Sequence, residues 1–440
     1  MVMMKFDASV ALQRRAHALI PGGSHTYAKG DDQFPVLAPG FIARGEGCHV
    51  WDVDGNEFIE YGMGLRSVSL GHAYRPVVEA AYREMLLGSN FTRPAPVEVE
   101  CAERILGLIR GAEMVKFAKD GSTVTTAAIK LARAYTGRDL VALCADHPFF
   151  SYNDWFIGTT VMSAGIPQAI RDLSVTFRYN DADSVRALFD AHPNKIACII
   201  LEAARTDEPA PGFLQAVQQL CHDNGALFIL DEMITGFRWH LGGAQAYYNI
   251  TPDLSAFGKG MANGFALSAL LGKAEIMNLG GINHDKERVF LLSTTHGAEN
   301  HALAAACETM RIYSTEDVIG HLYRQGVRLA RGVCQAIQTH GVGGYVDVLG
   351  HPANLVYATR DSAGRPSQAF RTLFLQEMIR RGVLAPSFVV SYSHTDEDID
   401  RTIDSVGGAL QVYRRALEEG VEEYLIGRPV QPVMRRFCLG

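Results

Sequence analysis

No apolar run in the chain approaches the roughly 18–20 residues that a membrane-spanning helix needs, so no transmembrane segment is expected. A basic excess is also missing. Lys and Arg number 41 against 48 Asp and Glu, a net charge of −7, and nothing points to nucleic acid or an anionic membrane surface as a partner. The N-terminus, MVMMKFDASVALQRR, meets Asp7 and two arginines before any long apolar run, which excludes a signal peptide. The eight cysteines, at 48, 101, 144, 198, 221, 307, 334 and 438, contain no C-x-x-C pair. They read as reduced, mostly buried thiols of a cytoplasmic protein. Histidines 72, 147, 284, 296 and 301 form no H-x-x-x-H or Cys/His pattern with ligand spacing, so no metal site is expected. Internal repeats and low-complexity segments are absent as well.

What is there is an ordinary globular composition, 48% hydrophobic and 20% charged over 440 residues, long enough for more than one domain. Residues 6–20 read as a short amphipathic helix stopped by Pro21-Gly22-Gly23. In CHVWDVDGNEFIEY, 48–61, two alternating runs flank Asp54-Gly55, a hairpin signal. From about residue 72, helical periods at 75–88, 97–110, 122–136, 183–191 and 213–224 alternate with apolar runs at 140–144, 196–202, 226–232 and 267–273. That alternation predicts an α/β fold with a mostly parallel sheet covered on both faces. After about residue 300 come long helices (299–312, 315–339), weaker strands around 344–358, and helices at 368–381 and about 395–419. The expected division is a large α/β domain at 71–300. A smaller α+β domain combines the N-terminal segment and hairpin, 1–70, with residues 301–440.

Ligands of open α/β sheets bind at the carboxyl ends of strands. Two apolar runs end in acids there: ALFIL in Asp231-Glu232 and IACIIL in Glu202. In KFAKDGSTVTTAAIKLARAYTG, 116–137, a short strand meets Gly121, Ser122 and Thr123 at the start of a helix. Such a helix start is either an anion cradle or an ordinary N-cap. Lys259 stands between two glycines in PDLSAFGKGMANG with no acid beside it in sequence. The glycine spacing, G-x-G-x-x-x-G, is one residue too long for a dinucleotide loop, no convincing strand precedes it, and no helix clearly opens from it. A buried lysine of lowered pKa suits an imine-forming nucleophile. Lysine, strand-end acid and phosphate cradle together are what pyridoxal phosphate requires.

These residues carry a resemblance. VWDVDGNEFIEY, AAIKLARAYTGR, GALFILDEMITGFR, PDLSAFGKGMANG and HTDEDIDRTI resemble the class III, fold-type I pyridoxal-phosphate aminotransferases, and within them the glutamate-1-semialdehyde 2,1-aminomutase branch. The similarity runs over nearly the whole chain. It implies a seven-stranded-type sheet in the large domain and pyridoxal 5′-phosphate as cofactor. It also implies that Lys259 carries the internal aldimine, Asp231 bonds the pyridine nitrogen and Met233 packs on the ring. Gly121 and Ser122, with Thr123 beside them, would bind phosphate. Phe149 falls where the family stacks a tyrosine on the ring, Phe150 where it has histidine, and Glu202 matches an acid of the site. Thr295, or the adjacent Thr294, would bind the phosphate of the partner subunit, which implies a homodimer with interfacial sites. The chain departs from the pattern at substrate positions. Lys29 replaces an arginine after Pro-Gly-Gly, Gly64-Leu65-Arg66 replaces a serine-tryptophan pair, the 151–170 loop is shorter, and Arg205 is an added cation.

Cofactor chemistry retained with substrate changed is the expected outcome. The activity implied is amino transfer between an amino donor and a small carbonyl acceptor, by way of pyridoxamine phosphate, with Lys29, Arg66 or Arg205 holding an anionic group. The alternative is intramolecular amino transfer by an aminomutase. A catalytically silent cofactor-binding module is a third reading. The intact Lys259–Asp231 pair, and the lack of a basic DNA-binding segment, argue against it.

Overall fold

The computed structural model describes residues 4–437. It divides into two compact units. One comprises the chain up to Tyr74 together with Gly320–Arg435. The other is Arg75–Ile319 with the last described residues.

The first unit opens with α1 (Asp7–Leu19), closed before Pro21 as the sequence requires. Its orphan N–H groups at Ala8 and Ser9 are satisfied from outside the helix, by the Asp54 carboxylate at 2.7 and 2.8 Å. Asp54 belongs to the hairpin turn between β2 (His49–Asp52) and β3 (Glu57–Glu60), where Gly55 adopts φ +85°. With β1 (Ile42–Glu46) these strands form an antiparallel meander. Beyond β3, Met63, Gly64, Leu65 and Arg66 take φ of +43°, +57°, +57° and +74°, one turn of left-handed backbone.

The chain then builds the second unit. Helices α2 (Arg75–Leu87) and α3 (Pro96–Leu108) precede β4 (Met114–Ala118), α4 (Gly121–Thr136), β5 (Leu140–Cys144), β6 (Ser174–Phe177) and α5 (Ala182–Ala191). Next come β7 (Ile196–Glu202), α6 (Phe213–Asp223), β8 (Leu227–Asp231), β9 (Leu254–Phe257), β10 (Ser268–Gly272) and α7 (Asn300–Thr315). The seven strands lie in the order β4-β10-β9-β8-β7-β5-β6, and only β10 runs antiparallel to its neighbours. β7, β8, β9 and β10 are buried at every residue, which is why they read as near-continuous apolar runs. Val185, Phe189, Val217, Leu220, Phe228 and Leu230 pack α5 and α6 onto the sheet. Each such side chain contributes about 1.5–3 kcal/mol by leaving water.

Two expectations are corrected here. A strand does precede Lys259: β9, Leu-Ser-Ala-Phe, pairs with β8 on one side and β10 on the other. Its four small and mixed residues carry no β signal of their own, and burial between two longer strands makes it one. Residues 301–319, assigned from sequence to the smaller domain, fall in the large unit, because α7 packs along α2 and α3.

The chain re-enters the first unit within the opening turn of α8 (Val318–Thr339). There β11 (Val346–Leu349) pairs with β12 (Val356–Thr359), α9 (Gln368–Ile379) follows, and β13 (Val383–Leu384) adds parallel to β3. α10 (Asp396–Glu419) starts at a Thr395/Asp398 capping box.

Candidate active site

β7, β8 and β9 end side by side, and their register sets the site. Glu202 is the cross-strand partner of Asp231, and Asp231 of Ala256, three residues before Lys259. Asp231 is buried. Burial pushes its carboxyl above the ordinary range, while the Lys259 ammonium, the Met233 N–H and Arg205 pull it back. The lysine with no acid beside it in sequence thus has one within electrostatic reach in space. Lys259 itself is half-buried and sits at φ +44°, a left-handed conformation that costs a non-glycine residue about 1–3 kcal/mol and clusters at functional sites.

The neighbouring acid has a different task. Glu232 is fully buried and accepts hydrogen bonds from the Thr235 hydroxyl and from the N–H groups of Ala244 (2.9 Å) and Gln245 (2.8 Å). It ties down the segment after β8 and leaves Asp231 as the acid at the strand end.

Met233 donates its N–H to Asp231 Oδ1 at 2.9 Å. Its sulfur occupies the space that side chains at two glycines would need. A Cβ on Gly121 would lie 2.9 Å from Met233 Sδ, and one on Gly258 only 2.7 Å. The methionine is therefore wedged between the start of α4 and the lysine segment.

At that helix start both alternatives of the sequence reading meet. Asp120 caps α4, taking the Thr123 N–H and the Thr123 hydroxyl, each at 2.9 Å. Thr123 is thereby committed to the cap. The N–H groups of Gly121 and Ser122 precede the first intrahelical bonds. The Ser122 oxygen accepts from Tyr152 N at 3.0 Å, which leaves its hydroxyl proton to donate. Ser268, on β10, donates to the Asp120 carbonyl at 2.7 Å and holds the turn in place.

Glu202 is buried, with Arg205 Nε 3.7 Å from its Oε1. Sequence reasoning missed His147 here, 55 residues away in the chain. Its Nδ1 accepts the Glu202 N–H at 3.1 Å, and its ring stacks obliquely on Tyr179. Burial, with the Arg205 charge, pushes its pKa down to about 3, so the imidazole is neutral. Phe149 is half exposed and meets Phe156 edge to face, while Phe150 is buried. Thr294 and Thr295 lie on the surface, and the Thr295 carbonyl accepts from Asn90 Nδ2 at 3.2 Å.

The three substrate candidates separate. Arg205 joins the strand-end group through Glu202. Lys29 and Arg66 belong to the first unit. Lys29 is exposed and lines a cavity of about 590 Å³ with Glu60 and His72, whose Nε2 and Oε2 are 3.0 Å apart. Arg66 donates Nε to Asn354 Oδ1 at 2.6 Å and lines a second cavity.

One Cys/His grouping did assemble without a sequence signature. Cys48, His49 and Asp398 place a ligand atom each within 4.8 Å of one another. These atoms bond each other: Cys48 Sγ and His49 Nε2 lie 3.3 and 3.0 Å from the Asp398 oxygens, and His49 Nδ1 is 2.8 Å from Glu57. The network fastens β2 to the start of α10. Its hydrogen bond to Asp398 raises the His49 pKa. Burial alone would raise that of Asp398, but the bonds from His49, Thr395 and Cys48 carry it well below the carboxylate range. Stabilisation from His49 is complete below its unfolded pKa near 6.5 and fades as pH rises through the higher folded value. Stabilisation from Asp398 is present above its unfolded value near 3.8 and fades in acid. His49→Gln should therefore destabilise by roughly 1–2 kcal/mol near pH 6 and by less near pH 9, read from denaturant unfolding at both. Equal losses would contradict the linkage.

A buried acid ending β8, a half-buried lysine just after β9 and a helix start after β4 fit a fold-type I enzyme. Residues 26–351 match the family described as aminotransferase class-III, and the chain belongs to that family. It is 31% identical over 426 residues to the 3-aminobutyryl-CoA aminotransferase of Cloacimonas acidaminovorans, covering 94% of this chain and 99% of the relative. It is 30% identical to glutamate-1-semialdehyde 2,1-aminomutase 2 of Bacillus cereus, covering 91% and 97%. Among solved structures, the FumI protein of Sphingopyxis sp. MTA144, in its PLP internal aldimine form, superposes with a TM-score of 0.86 at 27% identity. That match spans 93% of this chain and 97% of FumI.

Proposed function

We propose that this class III enzyme transfers an amino group between an amino donor and a small carbonyl acceptor, with Lys259 and Asp231 as its central pair. Pyridoxal 5′-phosphate is the cofactor, and when bound it supplies an electron sink for the bond broken at the substrate carbon. The residues present fit it. Asp231 is a buried acid able to meet a protonated ring nitrogen, Gly121 leaves room beside Met233, and Gly121 and Ser122 offer donors at a helix start. The register that sets Asp231 beside the lysine segment carries the reading.

Within this scheme Lys259 would hold the cofactor at rest and would take up and return the proton of the substrate Cα. Asp231 would face the ring nitrogen and favour its protonated form. Met233 and Phe149 would hold the ring, and Glu202 and Arg205, backed by neutral His147, would lie near it. The exposed Thr295 serves a second copy of the chain. A homodimer is supported by Val78, Tyr82, Met85, Leu86, Leu87 and Phe91, apolar side chains exposed on α2 and just beyond it. A cytoplasmic location is supported by the seven described cysteines, all unpaired and six of them buried. No helix among the described residues is long and apolar enough to cross a membrane.

Intermolecular transfer is favoured over the aminomutase alternative because Lys29, Gly64, Leu65 and Arg66 depart from the aminomutase pattern at substrate positions. Starting from the pyridoxamine form, product from a carbonyl acceptor should stop after one turnover and resume on adding an amino donor such as glutamate or alanine. Sustained turnover with no donor would contradict the transferase reading.

A further inference from the structure

Cys48, His49 and Asp398, which bond one another across the first unit, also make up a metal-ligand set. Cys48 stands immediately before β2, His49 opens that strand, and Asp398 lies in the first turn of α10. Each offers a thiol, imidazole or carboxylate atom within 4.8 Å of the other two, and among the described residues no other three Cys, His, Asp or Glu side chains do so. Cys48 and Asp398 are buried, while His49 is partly open to solvent and leaves a way in. The separation of 349 residues between His49 and Asp398 kept the set out of any sequence motif. None of the three belongs to the residues assigned to cofactor or substrate.

The distances suit a shared ion. Around a tetrahedral zinc, with bonds of about 2.3 Å to sulfur and 2.0–2.2 Å to nitrogen and oxygen, neighbouring ligand atoms sit roughly 3.4–3.6 Å apart. Cys48 Sγ and His49 Nε2 lie 3.3 and 3.0 Å from the two Asp398 oxygens, so a small outward relaxation makes room. The charges suit it too. A thiolate, a carboxylate and a neutral imidazole cancel a divalent cation, and a buried complex without net charge avoids the cost of burying an unpaired ion. The surrounding groups hold the ligands in place. Thr395 donates its N–H and hydroxyl to Asp398 Oδ2 at 3.0 and 2.7 Å. Glu57, at the start of β3, has its Oε1 2.8 Å from His49 Nδ1. A carboxylate on that nitrogen fixes the tautomer that turns the Nε2 lone pair toward a metal, and it commonly accompanies metal-bound histidine. An ion pair alone accounts for one acid on the imidazole. It does not call for a second acid and a buried thiol at the same point.

We propose that Cys48, His49 and Asp398 bind one zinc-class divalent cation, with Glu57 as a positioning residue behind His49 and water in the fourth place. Binding is an exchange: the ion replaces the Cys48 thiol proton and the proton on His49 Nε2, both protons go to solvent, and no electron moves. The hydrogen-bonded network is the proton-filled form of the same site. The ion clamps β2 to the start of α10, a structural role separate from amino transfer.

The test uses the full-length holoenzyme, stripped with a chelator and returned to metal-free buffer. Zinc is titrated in competition with a chromophoric chelator, cobalt is added to a second sample, and the cofactor band and the unfolding midpoint are recorded alongside. The wild type should take up one zinc per chain at micromolar protein and unfold at a higher temperature with it. Its cobalt complex should show a thiolate-to-metal band. Glu57→Gln should weaken zinc binding about tenfold or more, and Cys48→Ser and His49→Gln by more than that. Cys334→Ser, which removes an exposed thiol elsewhere, should bind as the wild type does. Glu57 is exposed, so its variant reports on the site even if the buried substitutions fail to fold, and the cobalt spectrum needs no variant at all. The proposal is overturned if the wild type takes up no stoichiometric zinc, if its cobalt complex lacks the thiolate band, or if folded Cys48→Ser or His49→Gln binds zinc as tightly as the wild type. Zinc uptake that tracks a change in the cofactor band would overturn it as well.

Discussion

Lys259→Ala should remove amino-transfer activity by at least about 10³-fold, within the range that loss of a positioned general base gives. The visible band of the lysine-bound cofactor should vanish with it. Two effects combine in this residue. In the proposed scheme its amine is both the point where the cofactor is held and the base that moves the proton, so no neighbouring group would replace half of its work. The backbone supports the assignment independently of the side chain. A lysine at φ +44°, between Gly258 and Gly260, is held in a conformation that alanine tolerates no better. The variant should therefore lose function with little change in unfolding midpoint. Retention of the band, or activity within tenfold of wild type, would remove Lys259 from the centre of the account.

Asp231→Asn should have the second largest effect, on the order of 10²–10³-fold in kcat, with weaker retention of the cofactor. Removing one member of a buried charge pair costs about 3–5 kcal/mol. Asparagine matches the carboxylate in size and can still accept the Met233 N–H, so the wedge between Gly121 and Gly258 should survive. What it cannot do is hold a proton on the ring nitrogen. The loss should be accompanied by a shift in the visible spectrum of the bound cofactor. Stopped-flow half-reactions with a single amino donor would place the defect in the chemical step. A defect confined to KM would instead make Asp231 a residue of the substrate pocket.

Much of the architecture was legible because the strands of a covered parallel sheet have to be apolar throughout. LVALC and IACIILE begin and end in the structure where the sequence places them, at 140–144 and 196–202. The acids that end β7 and β8 were legible for the same reason: a charged residue at the end of an apolar run lies at the sheet's edge. β9 was not. Leu-Ser-Ala-Phe has neither length nor β-branched residues, and its strand state comes from the partners on either side. The same limit hid His147, which reaches Glu202 from another loop, and the two glycines that frame Met233, whose close approach only the folded backbone creates. Thr123 reads as a phosphate ligand or as part of a cap, and the structure shows the cap, with Asp120 taking both of its donors.

The central claim is that one lysine, held beside a buried acid at the ends of β8 and β9, carries the cofactor. Borohydride reduction of the holoenzyme followed by peptide mass mapping tests it directly, because reduction fixes the cofactor to the lysine that holds it. The account predicts the pyridoxyl label on the peptide containing Lys259, and its absence after prior incubation with a saturating amino donor. A label on any other lysine, or none in a protein that shows the visible band, would contradict it.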